Sequence, residues 1–590
     1  MSNQEITRLL KNIAAAYSIK DDKKFRFQIL AYQKAADTVE HLNTELEDHY
    51  RNGTLNTVPS IGVSIRSHLE NLFKKGKVSH FDWVLKDIPE AVFPLLDIPS
   101  FGPKKAYALV KHFGLKNKDT VIDDLEQLAK EGKIATLERF GEKSQSDVLR
   151  AIAEFKEGKG KTTRMVLPYA QEIADKIVEY LKKCAEVERA EPLGSLRRKV
   201  ATIGDIDLAV ASNEPKKVIK YFVSYPSLER VIEKGDVSSS ILVSGGRQID
   251  LLVQPTKAFG SLLQHFTGSK NHNVHLRELA LKKGLSLSEY GIKFLKEKKK
   301  PLKTYPDEYS FYKAIGLDYI EPEIREDTGE IELAVKHNLP KLVQLNDLKG
   351  DLHIHSSYPI EPSHDMGQSS MEEMLEMASK LNYEYLGFSE HNPSLSKHTK
   401  QQIYEILKKR DVKIEQIKSN NKNVRIIKLL ETDILPSGEL ALDDKSLNLL
   451  DATIVSIHSV FGMDQKKMTK RVLSGLSHPK AKILAHPTGR LLNFRTGYTL
   501  DWKQIFEFCK KNNKALEINS WPTRLDLSDT VIRQAVDAGV KMVIDTDSHM
   551  VEQMNLQEFG IAMARRGWAK KSDILNTLSY NDFSKWIKSQ

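Results

Sequence analysis

The sequence is poor in cysteine and has no long apolar segment. Its two cysteines, Cys184 and Cys509, are far apart in the 590 residues, and neither belongs to a C-x-x-C pair. This argues against a disulfide framework or a zinc ribbon and predicts a protein of a reducing compartment. Residues 1–20 predict an amphipathic helix without a small-residue cleavage site, and no apolar run is long enough to cross a bilayer. We therefore expect a cytoplasmic protein that does not enter a membrane.

What the sequence does have is length and a moderate positive charge. A chain of 590 residues is too long for one core, and the length predicts roughly three to five domains. The net charge is +10: residues 1–346 carry +7 (55 Lys and Arg against 48 Asp and Glu) and residues 347–590 carry +3 (34 against 31). Most of the excess lies in the part that carries the patterns described next, and phosphate backbones attract basic surfaces.

Residues 3–155 show short helical patterns with turns between them and almost no β-alternation. One pattern recurs: an apolar residue, a glycine turn and a polar or basic helix, at 57–62, at 97–102 and more weakly at 137–141. Each copy resembles a helix-hairpin-helix motif, in which backbone N–H groups meet a phosphate and position DNA without reading its sequence. An ordinary αα-hairpin explains any single copy equally well. The three copies together favour DNA binding.

The character of the sequence changes at residues 161–260. A helix is predicted at about 168–184, and strands are predicted at 203–210, 240–244 and 247–253. This mixture of strands and helix predicts a mixed α/β domain after the helical part.

A nucleotidyltransferase signature lies in this domain, in segments 194–198 and 204–207. Asp205 and Asp207 are two residues apart in a predicted strand and share one face, and Asp250 lies in a neighbouring apolar run. Three carboxylates that hold Mg²⁺ or Mn²⁺ suit two-metal phosphoryl transfer, so we expect these aspartates to be catalytic. The residues expected to hold the nucleotide triphosphate are Gly194, Ser195, Arg198 and Gly204.

The signature alone also fits poly(A) polymerases and small-molecule nucleotidyltransferases, and residues 265–277 narrow the choice. They resemble the thumb motif of family X DNA polymerases related to polymerase beta, and the resemblance extends to residues 25–36, the first two glycine turns and the mixed domain, which would be the palm. The residues that this resemblance implies are Phe266 and Gly268 at the sugar, Asn273 at the base, and Arg277, Lys34, Gly62 and Gly102 at the DNA.

Two positions depart from that family. It usually has tyrosine where this chain has His265, which leaves the choice between dNTP and rNTP open. Members with 5′-deoxyribose-phosphate lyase activity carry a Schiff-base lysine where this chain has His68. We therefore expect no strong lyase activity.

Residues 347–590 differ again. Seven short apolar runs alternate with helical segments, and each ends in or beside a His, Asp, Glu or Asn. The runs are 348–355, 385–391, 424–433, 452–458, 482–486, 515–519 and 541–547. This alternation predicts a seven-stranded β/α barrel, in which polar residues at the carboxyl ends of the strands build the active site.

This part of the chain resembles the polymerase-and-histidinol-phosphatase (PHP) domain. His353 and His355 put two imidazoles on one face of a strand, which is a metal-binding pair. The resemblance implies nine ligands around three Zn²⁺ or Mn²⁺ ions. Asp365 is our choice for one ligand and Glu361 is its rival, while Glu390 replaces the family's Asp and is expected to lie outside the ligand set. The expected ligands are His353, His355, Asp365, His391, Glu431, His458, His486, Asp547 and His549.

These patterns predict a multidomain α/β protein and a two-enzyme chain. The predicted domains are 1–82 (helical, DNA-binding), 83–160 (helix-hairpin-helix fingers), 161–260 (nucleotidyltransferase palm), 261–320 (thumb), 321–346 (linker) and 347–590 (PHP phosphoesterase). The resemblance implies a monomeric repair polymerase that fills gapped or primed DNA with dNTPs and carries a 3′–5′ exonuclease, which could extend to 3′-phosphatase or abasic-site endonuclease activity. One alternative is a barrel that hydrolyses pyrophosphate or small phosphomonoesters. The other, a DNA-end scaffold without catalysis, is disfavoured because all three palm carboxylates are present.

Overall fold

The computed structural model describes residues 1–590 except 2, 41–45, 52, 59–60, 99–100, 138–139, 157–163, 244–246, 298, 300, 422, 494 and 590, and of residues 3, 4, 34, 37, 40, 48, 57, 143 and 154 it describes the backbone alone. The chain divides into two compact units, Met1–Thr163 and Arg164–Gln590. Among the described helices, none combines the length and apolar character that crossing a bilayer requires.

Among its described residues, the first unit consists of helices joined by turns and contains no strand. Its helices are α1 (Asn3–Asp21), α2 (Arg26–Glu40), α3 (Leu46–Arg51), α4 (Val63–Lys75), α5 (Ser79–Leu85), α6 (Val92–Leu95), α7 (Pro103–Phe113), α8 (Val121–Lys130) and α9 (Glu142–Lys156). Two separate apolar cores hold them together. One surrounds Leu10 and Leu69, which lie on α1 and α4. The other surrounds Leu109 and Ile152, which lie on α7 and α9.

The second unit begins with the palm. Its elements are β1 (Met165–Val166), α10 (Leu167–Leu181), β2 (Arg189–Pro192), α11 (Gly194–Arg197), β3 (Thr202–Ile203), β4 (Ile206–Ala211), α12 (Pro215–Phe222), β5 (Leu228–Lys234), β6 (Ser238–Val243) and β7 (Arg247–Gln254). Five strands form a sheet in the order β2-β4-β7-β6-β5. Only the central pair, β4 and β7, is parallel, and the others are antiparallel. The three predicted strands match β4, β6 and β7, whereas β2 and β5 were not predicted.

The thumb follows the palm. Its elements are α13 (Phe259–Thr267), α14 (Lys270–Lys282), β8 (Leu285–Ser288), β9 (Gly291–Phe294), β10 (Leu302–Lys303) and α15 (Glu308–Ala314), with α16 (Glu330–Val335) packed against them. The three strands form an antiparallel sheet in the order β10-β9-β8.

The structure differs from the predicted linker at 321–346. This segment forms a 3₁₀ helix at Pro322–Ile324 and then α16, and Ile331 is buried in the core that it shares with the thumb. Arg325 is fully buried and donates from Nη1 to Glu308 at 2.6 Å. The proline and the acidic residues predict an irregular exposed chain. This prediction fails because a sequence pattern does not reveal that a buried ion pair will anchor the segment.

A β/α barrel completes the second unit. Its elements are β11 (Gly350–Ile354), α17 (Met371–Lys380), β12 (Tyr385–Phe388), α18 (Lys400–Asn420), β13 (Arg425–Lys428), β14 (Glu431–Asp433), α19 (Asp444–Leu447), β15 (Thr453–Ser456), α20 (Gln465–Leu476), β16 (Ala481–Leu484), α21 (Trp502–Lys511), β17 (Ala515–Asn519), α22 (Asp529–Ala538), β18 (Met542–Asp545), α23 (Gln557–Arg566) and α24 (Tyr580–Lys588).

All strand pairs of the barrel are parallel, in two sheets ordered β11-β12-β13 and β14-β15-β16-β17-β18. Single parallel bridges between Ile354 and Ser548 and between His391 and Glu431 join the two sheets into a ring. The predicted run 424–433 is two strands, β13 and β14, so seven apolar runs give eight strand segments. The ring brings the carboxyl ends of its strands together on one side.

Candidate active sites

The palm sheet brings the three predicted aspartates together. Asp207 on β4 and Asp250 on β7 are paired in register across the two parallel strands, and Asp205 lies just before β4. One oxygen from each carboxylate lies within 4.8 Å of the others. Burial, together with Asp205 and Asp250, raises the pKa of Asp207 to about 7, because neighbouring negative charges repel one another. Three oxygen ligands under this mutual repulsion fit a divalent cation.

Gly194 lies directly beside these carboxylates. Its φ is +55°, and a Cβ at this position would lie 2.7 Å from Oδ2 of Asp207. Both the backbone conformation and the space therefore require glycine. Ser195 follows it in α11, and Gly204 stands directly before Asp205.

Arg198 is held between the palm and the thumb. Its Nη1 donates to the carbonyl oxygen of Thr267 at 2.6 Å, and its Nε donates to Glu326 at 3.0 Å. It is close enough to Asp207 to lower the pKa of that carboxyl, although burial and the other aspartates dominate. A Cβ at Gly268 would lie 3.0 Å from Nη1 of Arg198, so the glycine lets the thumb approach the arginine closely.

The other thumb residues that the resemblance implies differ in exposure and in their hydrogen bonds. Phe266 is exposed, and the Nε of the exposed Arg277 donates to the carbonyl of Asn273 at 3.0 Å. Asn273 is buried, and its amide donates to the carbonyl of His265 at 2.6 Å and accepts from Gln264 at 2.9 Å. The side-chain amide of Asn273, which the resemblance assigns to the incoming base, is therefore already hydrogen-bonded within the thumb.

The predicted DNA contacts of the first unit lie at helix starts. Gly62 directly precedes α4 and Gly102 directly precedes α7, and a Cβ on either would meet open space. The N-termini of both helices are therefore accessible to a phosphate. Lys34 is part of α2, but its side chain lies outside the described residues, as do residues 59–60 and 99–100 of the glycine turns and 138–139 of the third copy.

The barrel gathers most of the predicted metal ligands around Glu431. One carboxylate oxygen, Oε2, lies 2.9 Å from Nδ1 of His391 and 3.1 Å from Nε2 of His353. The other, Oε1, lies 2.8 Å from Nε2 of His486 and 3.3 Å from Nε2 of His458. Burial opposes ionisation of Glu431, but these imidazoles hold its pKa well below the usual range.

The remaining ligands adjoin this centre. His355 lies 3.1 Å from Asp547, and Asp365 lies 3.1 Å from His391 and 3.2 Å from His549. Burial lowers the pKa of His391, but Glu431 and Asp365 outweigh burial and raise this pKa to about 10. The rival ligand, Glu361, is instead 3.1 Å from His398. The geometry thus favours Asp365 over Glu361.

Orphaned polar atoms test whether this cluster fits metal ions. Several buried side-chain atoms of the cluster make no hydrogen bond of acceptable geometry, although some lie close to one another: Nε2 of His353, both ring nitrogens of His355, Nδ1 of His391, Oε2 of Glu431, Nδ1 of His486 and Nε2 of His549. Buried polar atoms are normally satisfied, and a set of imidazole and carboxylate ligands this dense fits a cluster of divalent metals.

A cavity of about 460 Å³ opens onto the cluster. The residues that line it are His364, Asp365, Met366, Gln368, His391, Glu431, His458, Trp521, Arg524, Asp547, His549 and Gln553. Arg524 extends to within 3.5 Å of Asp547. The wall therefore offers one cation and one large aromatic ring next to the ligands.

Three segments match known family models: residues 1–78 a helix-hairpin-helix domain, residues 262–326 the DNA polymerase beta thumb, and residues 351–521 the PHP domain. The DNA polymerase/3′-5′ exonuclease PolX of Bacillus subtilis is 34% identical over 590 residues, which is 100% of both chains. The chain belongs to the PHP-containing family X DNA polymerases.

More distant members of family X match parts of the chain. DNA polymerase lambda of Rattus norvegicus is 24% identical over 353 residues, 55% of this chain and 56% of its own. Repair DNA polymerase X of African swine fever virus is 31% identical over 146 residues, 22% of this chain and 79% of its own.

The departures from the family pattern have structural explanations at two positions. Glu390 is buried and forms an ion pair with Arg410, whose Nε donates to it at 2.9 Å, and it also accepts from Ser356. It therefore supports the barrel from outside the ligand cluster. His68 lies 2.7 Å from the hydroxyl of Tyr32 and stacks on His80 at 4.4 Å between ring centroids.

Sequence reasoning missed two carboxylates that support the ligand histidines. Glu517 lies 2.6 Å from Nδ1 of His353, and Asp433 lies 2.7 Å from Nδ1 of His458. Carboxylates of this kind orient a metal-binding imidazole and fix its tautomer. A signal was available for Asp433, because it stands two residues after Glu431 in one strand and so shares its face.

Proposed function

We propose that the chain is a repair enzyme that fills short gaps in DNA by template-directed nucleotidyl transfer. The observation that carries the proposal is the cluster of Asp205, Asp207 and Asp250 beside Gly194. It lies in a chain similar over its full length to a protein named as a DNA polymerase and 3′-5′ exonuclease. These carboxylates would hold Mg²⁺ or Mn²⁺, which would supply the charge that two-metal phosphoryl transfer needs. The substrates are gapped or primed DNA and dNTPs.

The chain's own groups would orient these substrates. Gly194 leaves room for a triphosphate to approach the carboxylates, and the guanidinium of Arg198 adds charge-assisted hydrogen bonds to it. The exposed Arg277 suits the template backbone, and the open helix starts at Gly62 and Gly102 suit DNA phosphates.

Extension of a labelled primer across a one-nucleotide gap tests the polymerase. The double variant Asp205→Ala/Asp207→Ala should lose extension, whereas Asp236→Ala, which changes an exposed palm aspartate paired with Lys216, should keep it. Extension by the double variant would refute the assignment of the palm site.

For the barrel we propose 3′–5′ exonuclease activity on DNA ends. The cavity of about 460 Å³ is in the range that encloses a nucleotide-sized ligand, about 300–1,000 Å³. Arg524 is placed to bind a phosphate and Trp521 to stack on a base. The nine ligands would hold three Zn²⁺ or Mn²⁺ ions, and such a cluster would supply an activated water and positive charge beside the phosphate. The ligands of one metal would be Asp365, His391 and His549.

Shortening of single-stranded DNA labelled at its 5′ end tests this second activity. His353→Ala/His355→Ala should abolish shortening. His478→Ala, which changes a barrel histidine paired with Asp444 outside the cluster, should not. Pyrophosphate, a small phosphomonoester, a 3′-phosphorylated end and an abasic site serve as parallel substrates. Hydrolysis of the small esters without shortening of DNA would replace the exonuclease by the alternative function.

The proposal describes a cytoplasmic monomer that works on DNA by itself. Two catalytic sites on one chain raise the effective concentration of a frayed 3′ end at the second site. Sedimentation of the DNA-bound protein at a stoichiometry of one chain per end would support the monomer.

A further inference from the structure

Helix α23 of the barrel ends in two adjacent arginines that contact the polymerase part of the second unit. Arg566 has a side chain only 6% exposed. Its Nη1 donates to the backbone carbonyl of Arg198 at 2.8 Å and to Oε1 of Glu326 at 3.0 Å. Its Nη2 pairs with Asp529, at the start of α22, at 2.6 Å. One guanidinium from the barrel thus contacts both the palm and the segment after the thumb.

The same oxygen of Glu326 also accepts a hydrogen bond from Nε of Arg198 at 3.0 Å. Arg198 is therefore held through its backbone carbonyl by Arg566 and through its side chain by Glu326, which Arg566 itself holds. The third contact of Arg198, from Nη1 to the carbonyl of Thr267 at 2.6 Å, comes from the thumb. Barrel, palm and thumb thus meet at this one arginine.

The neighbouring Arg565 also attaches the barrel to the polymerase part of the second unit. Its Nε donates to Glu323 at 2.8 Å and its Nη1 to the carbonyl of Val343 at 3.2 Å. It joins the barrel to the segment after the thumb with an ionic contact of the same kind. Among the contacts of the described residues, however, those of Arg565 do not include Arg198 or Glu326. The two arginines differ in whether they contact the nucleotide-binding segment.

We propose that Arg566 is a positioning residue for nucleotide incorporation, through which the barrel completes the polymerase's triphosphate site. Arg566 and Glu326 hold the guanidinium of Arg198 in one orientation before the nucleotide arrives. A planar guanidinium is suited to this task, because Asp529 holds Nη2 on the barrel side and so fixes the direction in which Nη1 contacts Arg198 and Glu326. The inference rests on the proposed role of Arg198 in binding the triphosphate. It adds that the polymerase depends on a residue of the phosphoesterase barrel.

Steady-state insertion of one dNTP into gapped DNA, with the full-length chain, tests the inference. Arg566→Ala should raise the KM for dNTP at least about tenfold, with a smaller change in kcat, because a charged, buried hydrogen-bond donor is lost. Arg566→Lys keeps the charge without the fork and should raise KM as well. The matched control, Arg565→Ala, removes an arginine that is also largely buried but whose contacts are to Glu323 and Val343, so it should leave KM within about twofold of wild type. Shortening of single-stranded DNA should be equal in all of these proteins.

Glu326→Gln changes the partner of Arg198 on the polymerase side and should also raise KM. When Glu326→Gln is combined with Arg566→Ala, the free-energy change calculated from KM should be smaller than the sum of the two single changes. Because Arg566 is buried, Arg566→Lys decides the question if Arg566→Ala does not fold. Equal KM values for the Arg565 and Arg566 variants, with an active wild type, would overturn this inference but not the proposed polymerase function. Absence of dNTP insertion by the wild type would overturn the proposed polymerase function and this inference with it.

Discussion

The carboxylate of Asp365 lies 3.1 Å from the imidazole of His391, which is 26 positions further along the chain. Its other oxygen lies near His549, whereas Glu361, the alternative ligand, pairs with His398. Asp365→Asn should therefore lower the bound metal by about one ion per chain and reduce 3′ shortening at least about tenfold. Glu361→Gln serves as the control. Elemental analysis of both proteins measures this, and metal loss in Glu361→Gln alone would reverse the assignment.

Glu517 should matter to the metal cluster although it is not among the predicted ligands. It lies 2.6 Å from Nδ1 of His353, and it accepts from the backbone N–H of His486. Removing its charge should weaken the orientation of His353 and lower metal affinity about 10–100-fold. Titration of metal-free Glu517→Gln with Mn²⁺ measures the affinity, and Glu507→Gln, an exposed glutamate of α21, is the control. Unchanged affinity would show that Glu517 only fills space.

The raised pKa of Asp207 predicts a pH dependence at the palm. With a pKa of about 7, this carboxyl is largely protonated at pH 6, and a divalent ion must displace the proton. Affinity of the palm for Mn²⁺ should therefore rise about tenfold between pH 6 and pH 8. Calorimetry on the barrel variant His353→Ala/His355→Ala, with and without Asp205→Ala/Asp207→Ala, isolates the palm site by difference. Affinity that is constant over this range would contradict the shift.

The same shift predicts an effect on the stability of the metal-free protein. A carboxyl whose pKa is raised on folding stabilises the folded state at low pH and loses that contribution as pH rises through the folded pKa, here about 7. Asp207→Asn should thus raise the melting temperature of the metal-free protein at pH 8 and change it little at pH 4. A larger gain at pH 4 than at pH 8 would have the wrong sign.

The first unit should have no strong lyase activity. His68, at the usual lysine position, cannot form a Schiff base, and it is engaged by Tyr32 and stacked on His80. Borohydride treatment of the protein with 5′-deoxyribose-phosphate DNA should trap little covalent product, and His68→Ala should not change the yield. A strong adduct in the wild type would point to another lysine.

Sequence patterns were sufficient to predict which side chains lie close together where those side chains share one face of a strand or stand at strand ends. The two-residue spacing of Asp205 and Asp207 predicts one face of a strand, and the parallel pairing of β4 and β7 brings Asp250 beside them. The runs ending in His355 and His486 likewise predict ligands at the ends of barrel strands. In these cases local periodicity is enough, because the sheet converts it directly into proximity.

Sequence patterns failed where a residue's role depends on distant partners. Residues 321–346 pack against the thumb through the ion pair of Arg325 with Glu308 and through buried apolar residues such as Ile331. Asn273 is engaged inside the thumb by Gln264. The contact of Arg566 with Arg198 joins residues 368 positions apart. Local spacing carries no information about pairs of this kind.

The central claim is that one chain carries two separate catalytic sites that act on the same DNA end. The most direct test is a labelled primer with a mismatched 3′ end, annealed to a template and incubated with dNTPs and Mn²⁺. The wild type should shorten the primer and then extend it. Asp205→Ala/Asp207→Ala should shorten without extending, and His353→Ala/His355→Ala should leave the mismatched nucleotide in place. Removal of the mismatch by the histidine variant, or extension by the aspartate variant, would contradict the account.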